Sequence, residues 1–595
     1  AMSVETTYAC QPATTRGQCT HLGADSEGKR LIYTSGRNVI IRDIDDPFNC
    51  VVYRDHGANV TAAQFAPSGY YVCSGDARGN VRIWATNDDR TLKAEYQMLS
   101  GAVKDICWSP DNQRIVVVGE GKEQFGKAFI WDTGSSVGEI SGHAKTLNSV
   151  AFRPARPFRV MTGGEDFMVN YFEGPPFKFK AQAKEHSNFV NCVRYSPDAS
   201  YCVSVGSDKK IVFYEGKTGE LPKTIENAHA GSIYACSWSP DSKKLLTSSA
   251  DKSVKIWNVE TKECEKTFKL GNSINEMQVG CIWAGQHLVA LALNGDITIL
   301  DEGNVDSPKA VISGHNRSID CVATGSDGMF FTGDFNGEIH AWRNGQPSSK
   351  RVAGKGHSCV VDMKVSADEL VSVGLDDVLR RTKISDSMSY GGAAVKLPGA
   401  PTGLAVADDA AIVSSANGLA VVKGDNVVFH YEDPAGVKFN CVAVDSSGKT
   451  VAAGSEKGAV VVFDLNGDGS LVIRHTLSLH AAGVCSIAVS TDGAFIASAD
   501  NKSVFLWDAV DGQIKVKTWQ GFHNSLIKSV DFAKDGKRII SASADESVIV
   551  WSVDEPDKVQ KLSWTHAGGA SGAKFLNDSH FVSVGSDACV KVWKF

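Results

Sequence analysis

The segment from His229 to Trp257, "HAGSIYACSWSPDSKKLLTSSADKSVKIW", decides the fold, because its pattern recurs elsewhere without a gap. Residues 523–551 read "HNSLIKSVDFAKDGKRIISASADESVIVW", and residues 186–214 read "HSNFVNCVRYSPDASYCVSVGSDKKIVFY". Each copy opens with histidine, places aspartate four residues after a serine or threonine, and ends on an aromatic residue. A catalytic relay is seldom copied along one chain, whereas a structural unit often is, so the pattern predicts a repeat protein.

The bulk composition indicates a water-soluble chain with more than one domain. A length of 595 residues exceeds what one hydrophobic core supports. Hydrophobic content of 43% and charged content of 22% are ordinary for globular proteins. The net charge of −7 argues against a nucleic-acid partner, which usually requires a basic face. Neither a long apolar run nor a charged-then-apolar leader stands in the sequence, so we expect no membrane span and no secretion signal.

The 15 cysteines do not follow a metal-binding or disulfide pattern. The chain has no C-x-x-C pair, and several cysteines fall inside apolar runs at similar places in successive repeats, namely Cys107, Cys192, Cys236, Cys321 and Cys485. Such thiols usually act as small buried hydrophobic groups. The sequence therefore predicts no metal and no cofactor, and it favours a reducing compartment such as the cytoplasm.

The repeat period identifies the architecture. Histidines at positions 143, 186 and 229, and again at 480, 523 and 566, stand 43 residues apart. One unit holds four short runs rich in β-branched and aromatic residues, 233–238, 244–247, 253–257 and 265–269, separated by the turn sequences "SPDSK", "SADK" and "NVETKE". Four-stranded units at this period are typical of propeller blades.

Filling the gaps between the marked units gives fourteen blades, more than the four to eight of a usual ring. The sequence therefore predicts an all-β chain of two seven-bladed β-propellers in tandem, residues 12–314 and 315–595. The last unit ends after its third strand, and the strand-like run "SVETTYACQ" precedes the first unit. We expect residues 2–11 to supply the outer strand of the last blade, so their deletion should destabilise the second ring more than the first.

The polar residues of the opening pattern are predicted to be structural. An indole N–H, a hydroxyl, an imidazole and a carboxylate can form one hydrogen-bonded chain that satisfies buried polar groups. A catalytic triad is disfavoured, because no copy has extra activating features and the hydroxyl lies in a packed sheet. In the copy that begins at His143, Phe172 takes the place of tryptophan and cannot donate. The predicted structural sets are His229, Thr247, Asp251 and Trp257; His523, Ser541, Asp545 and Trp551; and His566, Ser583, Asp587 and Trp593.

These units resemble WD repeats, which build propellers that bind partners through their surfaces. Three segments narrow the resemblance: "VKDICWSPDNQRIVVVGEGKEQFGKAFIWDTG" (103–134), "RPFRVMTGGEDFMVNYFEGPPFKFK" (156–180) and "EHSNFV" (185–190). Together with two seven-bladed rings in one chain of this length, they resemble the actin-interacting protein 1 family. The resemblance covers the whole chain in architecture and is loose over residues 360–440, where the histidine and tryptophan markers fade.

The resemblance implies a function and a site. Members of this family bind actin filaments decorated with cofilin, promote their disassembly and restrain regrowth at filament ends. It implies actin filaments and cofilin as partners, a monomer associated with the actin cytoskeleton, and no enzymatic activity. The family's functional residues match Glu123, Glu165, Lys178, Phe179 and Phe189 of this chain. Relatives tend to have aspartate where this chain has Glu165, so the charge is kept on a longer side chain.

The residues themselves leave alternatives open. Glu123 and Glu165 fall between the second and third strands of blades 3 and 4, and Phe189 falls in the loop entering blade 5, so all three emerge at one end of the ring. The phenylalanines could instead pack within blades, and the glutamates could be solvated loop charges. A different two-ring scaffold is the alternative function. An enzyme is disfavoured, because no phosphate-cradling glycine loop, metal-ligand cluster or unique nucleophile is present in the sequence.

Overall fold

The computed structural model describes residues 2–391 and 393–595, and within them nearly all regular structure is β-strand. Fourteen four-stranded antiparallel sheets are found in these two ranges, together with a single three-residue 3-10 turn, Ile274–Glu276. The prediction of an all-β protein with fourteen blades is therefore confirmed.

Blades 1 to 7 follow one another along the chain, each with its strands ordered from the inside of the ring outward. Their strands are, for blade 1, β2 (Gly23–Ala24), β3 (Arg30–Ser35), β4 (Asn38–Asp43) and β5 (Cys50–Tyr53); for blade 2, β6 (Val60–Phe65), β7 (Tyr71–Asp76), β8 (Asn80–Ala85) and β9 (Leu92–Gln97); for blade 3, β10 (Val103–Trp108), β11 (Arg114–Gly119), β12 (Gly126–Ile130) and β13 (Ser136–Glu139); for blade 4, β14 (Leu147–Phe152), β15 (Arg159–Gly164), β16 (Val169–Glu173) and β17 (Lys178–Ala183); for blade 5, β18 (Val190–Tyr195), β19 (Tyr201–Gly206), β20 (Ile211–Glu215) and β21 (Lys223–Ile225); for blade 6, β22 (Ile233–Trp238), β23 (Lys244–Ser249), β24 (Ser253–Asn258) and β25 (Cys264–Lys269); and for blade 7, β26 (Gln278–Ala284), β27 (His287–Ala292), β28 (Ile297–Leu300) and β29 (Ala310–Ile312).

Blades 8 to 14 repeat this arrangement, and the last of them takes its outer strand from the start of the chain. Their strands are, for blade 8, β30 (Ile319–Thr324), β31 (Met329–Asp334), β32 (Ile339–Arg343) and β33 (Lys350–Arg351); for blade 9, β34 (Val360–Ser366), β35 (Glu369–Gly374), β36 (Val378–Lys383) and β37 (Ala394–Lys396); for blade 10, β38 (Pro401–Ala407), β39 (Ala410–Ser415), β40 (Gly418–Lys423) and β41 (Asn426–Tyr431); for blade 11, β42 (Phe439–Val444), β43 (Thr450–Ser455), β44 (Ala459–Leu465) and β45 (Leu471–Ser478); for blade 12, β46 (Ser486–Val489), β47 (Phe495–Ala499), β48 (Val504–Asp508) and β49 (Ile514–Val516); for blade 13, β50 (Ile527–Phe532), β51 (Arg538–Ser543), β52 (Val548–Ser552) and β53 (Val559–Leu562); and for blade 14, β54 (Ala570–Phe575), β55 (His580–Gly585), β56 (Val590–Lys594) and β1 (Ser3–Tyr8).

The blades close into two rings. The inner strands of successive blades contact each other all the way round, and the circles are completed by β26 against β2 and by β30 against β54. The hydrophobic core lies between blades: in one such cluster, Phe213 of blade 5 packs with Leu245 and Trp257 of blade 6. A single sheet has two apolar faces to bury. Stacking around a closed ring covers both faces of every blade, so no blade is left with an exposed apolar face.

The chain divides into two compact units, residues 11–316 and residues up to 10 together with 317–595. The first unit thus extends slightly beyond the expected 12–314. Gln11 explains the difference at one end, because its side-chain amide donates to the carbonyls of Gly295 and Ile312 at 2.9 and 2.8 Å. Its backbone N–H donates to the carbonyl of His315 at 2.8 Å, so the histidine expected to open the second ring belongs to the first unit.

The start of the chain lies in the last blade. β1 pairs antiparallel with β56, with Val4 opposite Trp593 and Tyr8 opposite Val590. Tyr8 is 1% exposed, and its ring lies 4.9 Å from that of Trp342 in blade 8. Burial raises the pKa of the Tyr8 hydroxyl to about 12. The N-terminal strand is therefore an integral part of the sheet and of the core beside it.

Candidate binding face on blades 3 to 5

The polar set of blade 6 forms one continuous hydrogen-bonded chain. The Trp257 indole donates to the Thr247 hydroxyl at 2.9 Å, and that hydroxyl lies 2.8 Å from Nε2 of His229. Nδ1 of His229 lies 2.9 Å from the Asp251 carboxylate and donates to it, since a carboxylate only accepts. The same chain, with indole, hydroxyl, imidazole and carboxylate in this order, joins Trp551, Ser541, His523 and Asp545, and Trp593, Ser583, His566 and Asp587.

In blade 6 the surroundings shift the pKa values of both His229 and Asp251. Burial lowers the pKa of the His229 imidazole, although the neighbouring Asp251 carboxylate opposes that change. Burial alone would raise the pKa of Asp251, but hydrogen bonds from His229 and Ser253 hold it below its ordinary value. A neutral imidazole beside an ionised carboxylate, with every donor and acceptor engaged, is a structural support with no reactive group left over.

Other blades carry variants of the set. In blade 4 the chain from His143 to Thr162 and Asp166 lacks an indole, as expected from Phe172. Blades 2 and 12 have complete sets that the four-residue spacing misses, because serine and aspartate are there only two residues apart. These additional sets are His56, Ser74, Asp76 and Trp84, and His480, Ser498, Asp500 and Trp507.

The sets define one end of each blade, formed by the loop before the inner strand and the turn between the second and third strands. We call it the histidine end. Glu165 lies there in the β15–β16 turn of blade 4, where its N–H donates to the carbonyl of Thr146 at 2.9 Å. The adjacent Asp166 is engaged with His143, which keeps the Asp166 pKa below its ordinary value in spite of burial. Both residues are partly exposed, but the Asp166 carboxylate is occupied by His143.

Glu123 lies at the same end of the neighbouring blade 3. It is exposed in the middle of the loop that joins β11 to β12. At the base of the loop, the N–H of Gly119 donates to the carbonyl of Phe125 at 2.8 Å. The N–H of Glu120 donates to the carbonyl of Ala102, which connects this loop to the loop that enters blade 3. These contacts hold the loop so that Glu123 projects from it.

Phe189 lies in the loop entering blade 5, also at the histidine end, and is 37% exposed. Its ring is 6.1 Å from that of Phe167 in the blade 4 turn. Phe167 is a functional candidate that the sequence reasoning missed. Its signal was an aromatic residue directly after the structural aspartate, where blades 5 and 6 have Lys209 and Lys252. The two rings and Glu165 thus form one partly apolar, partly acidic surface.

Phe179 lies on the perimeter of the ring. It belongs to the outer strand β17 of blade 4, is 44% exposed, and stands opposite Phe172 in the ladder. One side of its ring rests against Gly142 in the loop between blades 3 and 4, where an added Cβ would lie 3.0 Å from the ring. Gly142 also has a φ of +87°, so both its backbone and the ring beside it require glycine at this position.

Lys178 precedes Phe179 and is exposed. It stands opposite Glu173 at the end of β17 that is remote from the histidine end. The structure therefore places Glu123, Glu165 and Phe189 at the histidine end of three adjacent blades. Lys178 and Phe179 follow each other on the perimeter, in the outer strand of blade 4, and the ring of Phe179 lies against Gly142 in the loop that enters this blade.

A groove of about 670 Å³ connects two parts of this surface. It runs along the outer strands of blades 2 and 3, with Glu123 on its rim, and reaches Gly142 and His143, where Phe179 packs. A groove with an acidic residue at one rim and an aromatic ring near the other suits an elongated segment of a protein partner.

The described residues hold neither a metal-ligand cluster nor a membrane-spanning helix. Within 2–391 and 393–595, no group of three or more His, Cys, Asp or Glu side chains is arranged to hold a metal ion. None of the helices in those same ranges is long and apolar enough to cross a membrane.

Comparison with known proteins identifies the family. A profile described as "WD domain, G-beta repeat" matches residues 49–85, 134–173, 177–215, 219–258, 306–343, 471–508 and 513–552. The "66 kDa stress protein" of Physarum polycephalum is 41% identical over 100% of this chain and 99% of its own length. "Actin-interacting protein 1" of Drosophila melanogaster is 38% identical over 98% of this chain and 97% of its own. The chain belongs to the actin-interacting protein 1 family.

Membership of the actin-interacting protein 1 family extends to plants. "Actin-interacting protein 1-2" of Arabidopsis thaliana is 35% identical over 100% of both chains. Since the family match spans both rings, the resemblance that the segments at 103–134 and 156–190 indicated is confirmed for the whole chain.

Proposed function

We propose that this protein binds actin filaments decorated with cofilin, promotes their disassembly and restrains regrowth at their ends. The proposed contact is the surface of Glu123, Glu165, Lys178, Phe179 and Phe189 on blades 3 to 5. The observation that carries it is the exposure of two phenylalanine rings, 44% and 37%, on elements that the blades hold rigidly. Exposed aromatic side chains flanked by charges are the usual centres of binding energy, and the charges steer the encounter.

The names of the relatives support actin as the partner. Proteins named for interacting with actin match this chain over nearly their full length, in an insect and in a plant. The protein would act through binding alone, without catalysis or cofactor, as a monomer in the cytoplasm associated with the actin cytoskeleton. Its acidic net charge of −7 suits a protein partner better than nucleic acid or a membrane surface.

The double variant Phe179→Ala, Phe189→Ala tests the site. Removing two central rings should cost about 2 kcal/mol or more in binding, roughly a thirtyfold loss of affinity. In a sedimentation assay with actin and cofilin, the variant should release no more actin to the supernatant than cofilin alone does. Both rings are partly exposed, so circular dichroism and the unfolding midpoint should stay close to those of the wild type.

Tyr70→Ala provides the matched control. Tyr70 is 73% exposed in the β6–β7 turn, at the end of blade 2 opposite the histidine end, so its loss should leave disassembly unchanged. A further variant, Phe167→Lys, keeps the backbone of its turn, because Lys209 and Lys252 adopt the same positive φ there. It should weaken binding without unfolding the blade.

The same assay separates the proposal from its alternative. Wild-type protein should sediment with actin, and more strongly when cofilin is present. Absence of sedimentation in both cases would favour a two-ring scaffold for another complex. Full disassembly activity in a folded double variant would leave actin as the partner but reject this surface.

A further inference from the structure

A basic cavity lies at the histidine end of blades 5 and 6. Its volume is about 650 Å³. Three cationic side chains from three separate parts of the chain line it: Arg16, Lys209 and Lys252. Among the described residues that line the cavity, Asp251 is the single carboxylate, so the lining has a net charge of +2. This local excess of positive charge stands in a chain whose overall net charge is −7.

The two lysines occupy equivalent positions in adjacent blades. Each directly follows the structural aspartate in the turn between the second and third strands, with a φ of +69° at Lys209 and +66° at Lys252. The N–H of each lysine donates to the carbonyl three residues earlier at 3.2 Å, and the carbonyl of each accepts at 2.9 Å from the N–H of Ala228 or of Leu270. Both turns are held from two sides, so the two ammonium groups extend from fixed backbone positions.

The turn itself does not require lysine. The equivalent position is filled by Phe167 in blade 4, Glu546 in blade 13 and Ala588 in blade 14, and each of these residues also has a positive φ. The backbone conformation is therefore common to the turn, whereas the positive charge is particular to the blades that line the cavity. A role in the fold alone does not account for the two lysines.

Arg16 belongs to the segment that leads into blade 1. On one side of it, the N–H of Ala13 donates to the carbonyl of Thr34 in blade 1 at 3.0 Å. On the other side, the N–H of Thr20 donates to the carbonyl of Val279 in blade 7 at 2.9 Å. The segment is thus anchored on both sides of Arg16, which gives the third cation a fixed place beside the cavity.

The three cations have no counter-charge of their own. Within the described residues, no ion pair and no side-chain hydrogen bond engages the cationic group of Arg16, Lys209 or Lys252. The neighbouring Lys210 is different, because it lies 3.6 Å from the Glu226 carboxylate and donates to the carbonyl of Glu185 at 3.3 Å. Positive charges gathered around one cavity repel each other, and an anion bound there would relieve that repulsion.

Asp251 is already engaged and does not fill this role. Its carboxylate accepts from Nδ1 of His229 at 2.9 Å and from the N–H of Ala230 at 3.1 Å. It also accepts from the N–H of Ser253 at 2.9 Å and from the Ser253 hydroxyl at 2.6 Å. Four donors from blade 6 therefore occupy the oxygens of this carboxylate, and the lysines keep their capacity to donate.

Tyr234 adds a neutral donor to the lining. It is 5% exposed, and burial raises the pKa of its hydroxyl, so the group is protonated at neutral pH and can donate. Phosphate oxygens accept several hydrogen bonds at once and bind most strongly to charged donors, arginine and lysine above all. The lining thus offers a guanidinium, two ammonium groups and a phenol, which together suit phosphate.

We propose that this cavity binds a diphosphate group through Arg16, Lys209 and Lys252. A diphosphate distributes its negative charge over two centres, so it can engage cations that come from blade 5, blade 6 and the entry segment at the same time. The volume of about 650 Å³ is within the usual range for small-molecule sites and leaves room for the remainder of a ligand that carries the two phosphates. This inference is independent of the proposed binding to actin.

Calorimetric titration of the full-length protein with inorganic pyrophosphate tests the proposal. We expect one equivalent to bind. Sulfate, which is a single oxyanion, should bind roughly tenfold more weakly, because it cannot engage the three cations together. Equal affinity for sulfate and pyrophosphate would overturn the assignment of a diphosphate.

A pair of double variants separates the site from general charge effects. Lys209→Gln with Lys252→Gln should weaken pyrophosphate binding at least about tenfold, because two charge-assisted hydrogen bonds are lost. Lys217→Gln with Lys243→Gln removes the same charge from the same two blades, at exposed turns opposite the histidine end, and should leave the affinity unchanged. Arg16→Gln changes a residue outside the strands and provides a second test should the first double variant fail to fold.

Vesicles distinguish the two sources of such a group. Sedimentation of the protein with phosphatidylcholine vesicles that contain phosphatidylinositol bisphosphate, and its loss in the variant at Lys209 and Lys252, would assign the phosphates to a lipid headgroup. Binding of pyrophosphate without binding to these vesicles would assign a soluble ligand. The proposal is overturned if the wild type binds no pyrophosphate at about 1 mM, or if both double variants lose affinity equally.

Discussion

Trp257 and Phe172 occupy the same position in blades 6 and 4, and only the tryptophan donates a hydrogen bond to the hydroxyl on the second strand. The bond between His143 and Thr162 forms in blade 4 all the same, at 2.7 Å. The indole is therefore dispensable, whereas the imidazole connects the hydroxyl to the carboxylate in every set described above.

This difference predicts the outcome of two substitutions in blade 6. His229→Leu should lower the free energy of unfolding by about 2 to 4 kcal/mol, because it leaves Asp251 without its main partner at a site of low exposure. Trp257→Phe should cost about 1 kcal/mol in hydrogen bonding, as blade 4 carries that residue naturally. Urea unfolding of both variants measures the two values. Equal losses of stability in the two variants would contradict the conclusion that the imidazole contributes more than the indole.

Buried histidines also make stability depend on pH. Besides His56 and His229 they include His357 of blade 9, whose Nδ1 lies 2.8 Å from the Asp376 carboxylate. Burial lowers the pKa of His56, His229 and His357 below their ordinary value of 6.5. The unfolded chain then binds protons more readily, so this contribution is complete above pH 6.5 and is lost as the pH falls toward the lowered values. Asp251 and Asp545 have pKa values lowered from 3.8, so their contribution persists to lower pH and is lost below 3.8.

The measurable consequence is a midpoint of thermal unfolding that falls in two stages. It should decline as the pH drops below 6.5 and decline again, more steeply, below 3.8. Scanning calorimetry across this range provides the test. A midpoint that rises on acidification below pH 6.5 would show that the imidazoles are charged in the folded protein.

Sequence reasoning predicted where the candidate binding loops lie but did not single out every residue exposed on them. Glu123 and Glu165 could be placed because the turns between second and third strands are recognisable in every repeat. Phe167 was missed because it stands in a turn position with positive φ that is usually filled by lysine, glutamate or alanine, and its contact with Phe189 joins two blades. Contacts across blades depend on loop shape, which a repeat pattern does not encode.

At the level of elements, strand β1 shows that a sequence pattern can predict the pairing of two distant segments. Its sequence predicts a strand, and the missing fourth strand of the last unit predicts its location, although the two are separated by almost the whole chain. The structure adds the boundary: Gln11 is hydrogen bonded within the first ring, so the segment serving the last blade ends before it.

Two changes at β1 should act on the second ring. Tyr8→Ala removes a side chain that is 1% exposed against Trp342 and Phe330, which should lower stability by about 3 to 5 kcal/mol. Deleting residues 2–8 should have a larger effect in the same ring. Limited proteolysis followed by peptide identification tells the rings apart, and cleavage should concentrate in 317–595. Equal cleavage in both rings would refute the assignment.

Across the whole molecule, the first ring has everything it needs for an independent fold. Its blades close on themselves through β26 and β2, and its compact unit is a continuous stretch, 11–316. The second ring is discontinuous in sequence, because it needs residues from both ends of the chain. Length and period sufficed to predict two rings, whereas the hydrogen bond from Arg194 of blade 5 to Asp105 of blade 3 could not be predicted, because it joins inner strands of blades that are not adjacent.

Expression of separate fragments tests this asymmetry. Fragment 11–316 should be folded and should unfold cooperatively, because no strand of its sheets is missing. Fragment 317–595 lacks β1, so it should be much less stable or aggregate through the open edge of β56. Adding a peptide of residues 2–10 should partly restore it. A fully stable 317–595 fragment would contradict the requirement for β1.

The pairing of β1 with β56 also bears on how the protein is made. A ribosome synthesises residues 3–8 long before their partners 590–594, so the last sheet stays incomplete until those partners have emerged. The nascent chain can therefore contain a complete first ring while β1 still lacks its partner strand. A product that terminates before residue 590 leaves β1 without its partner, so we expect it to expose an unpaired strand.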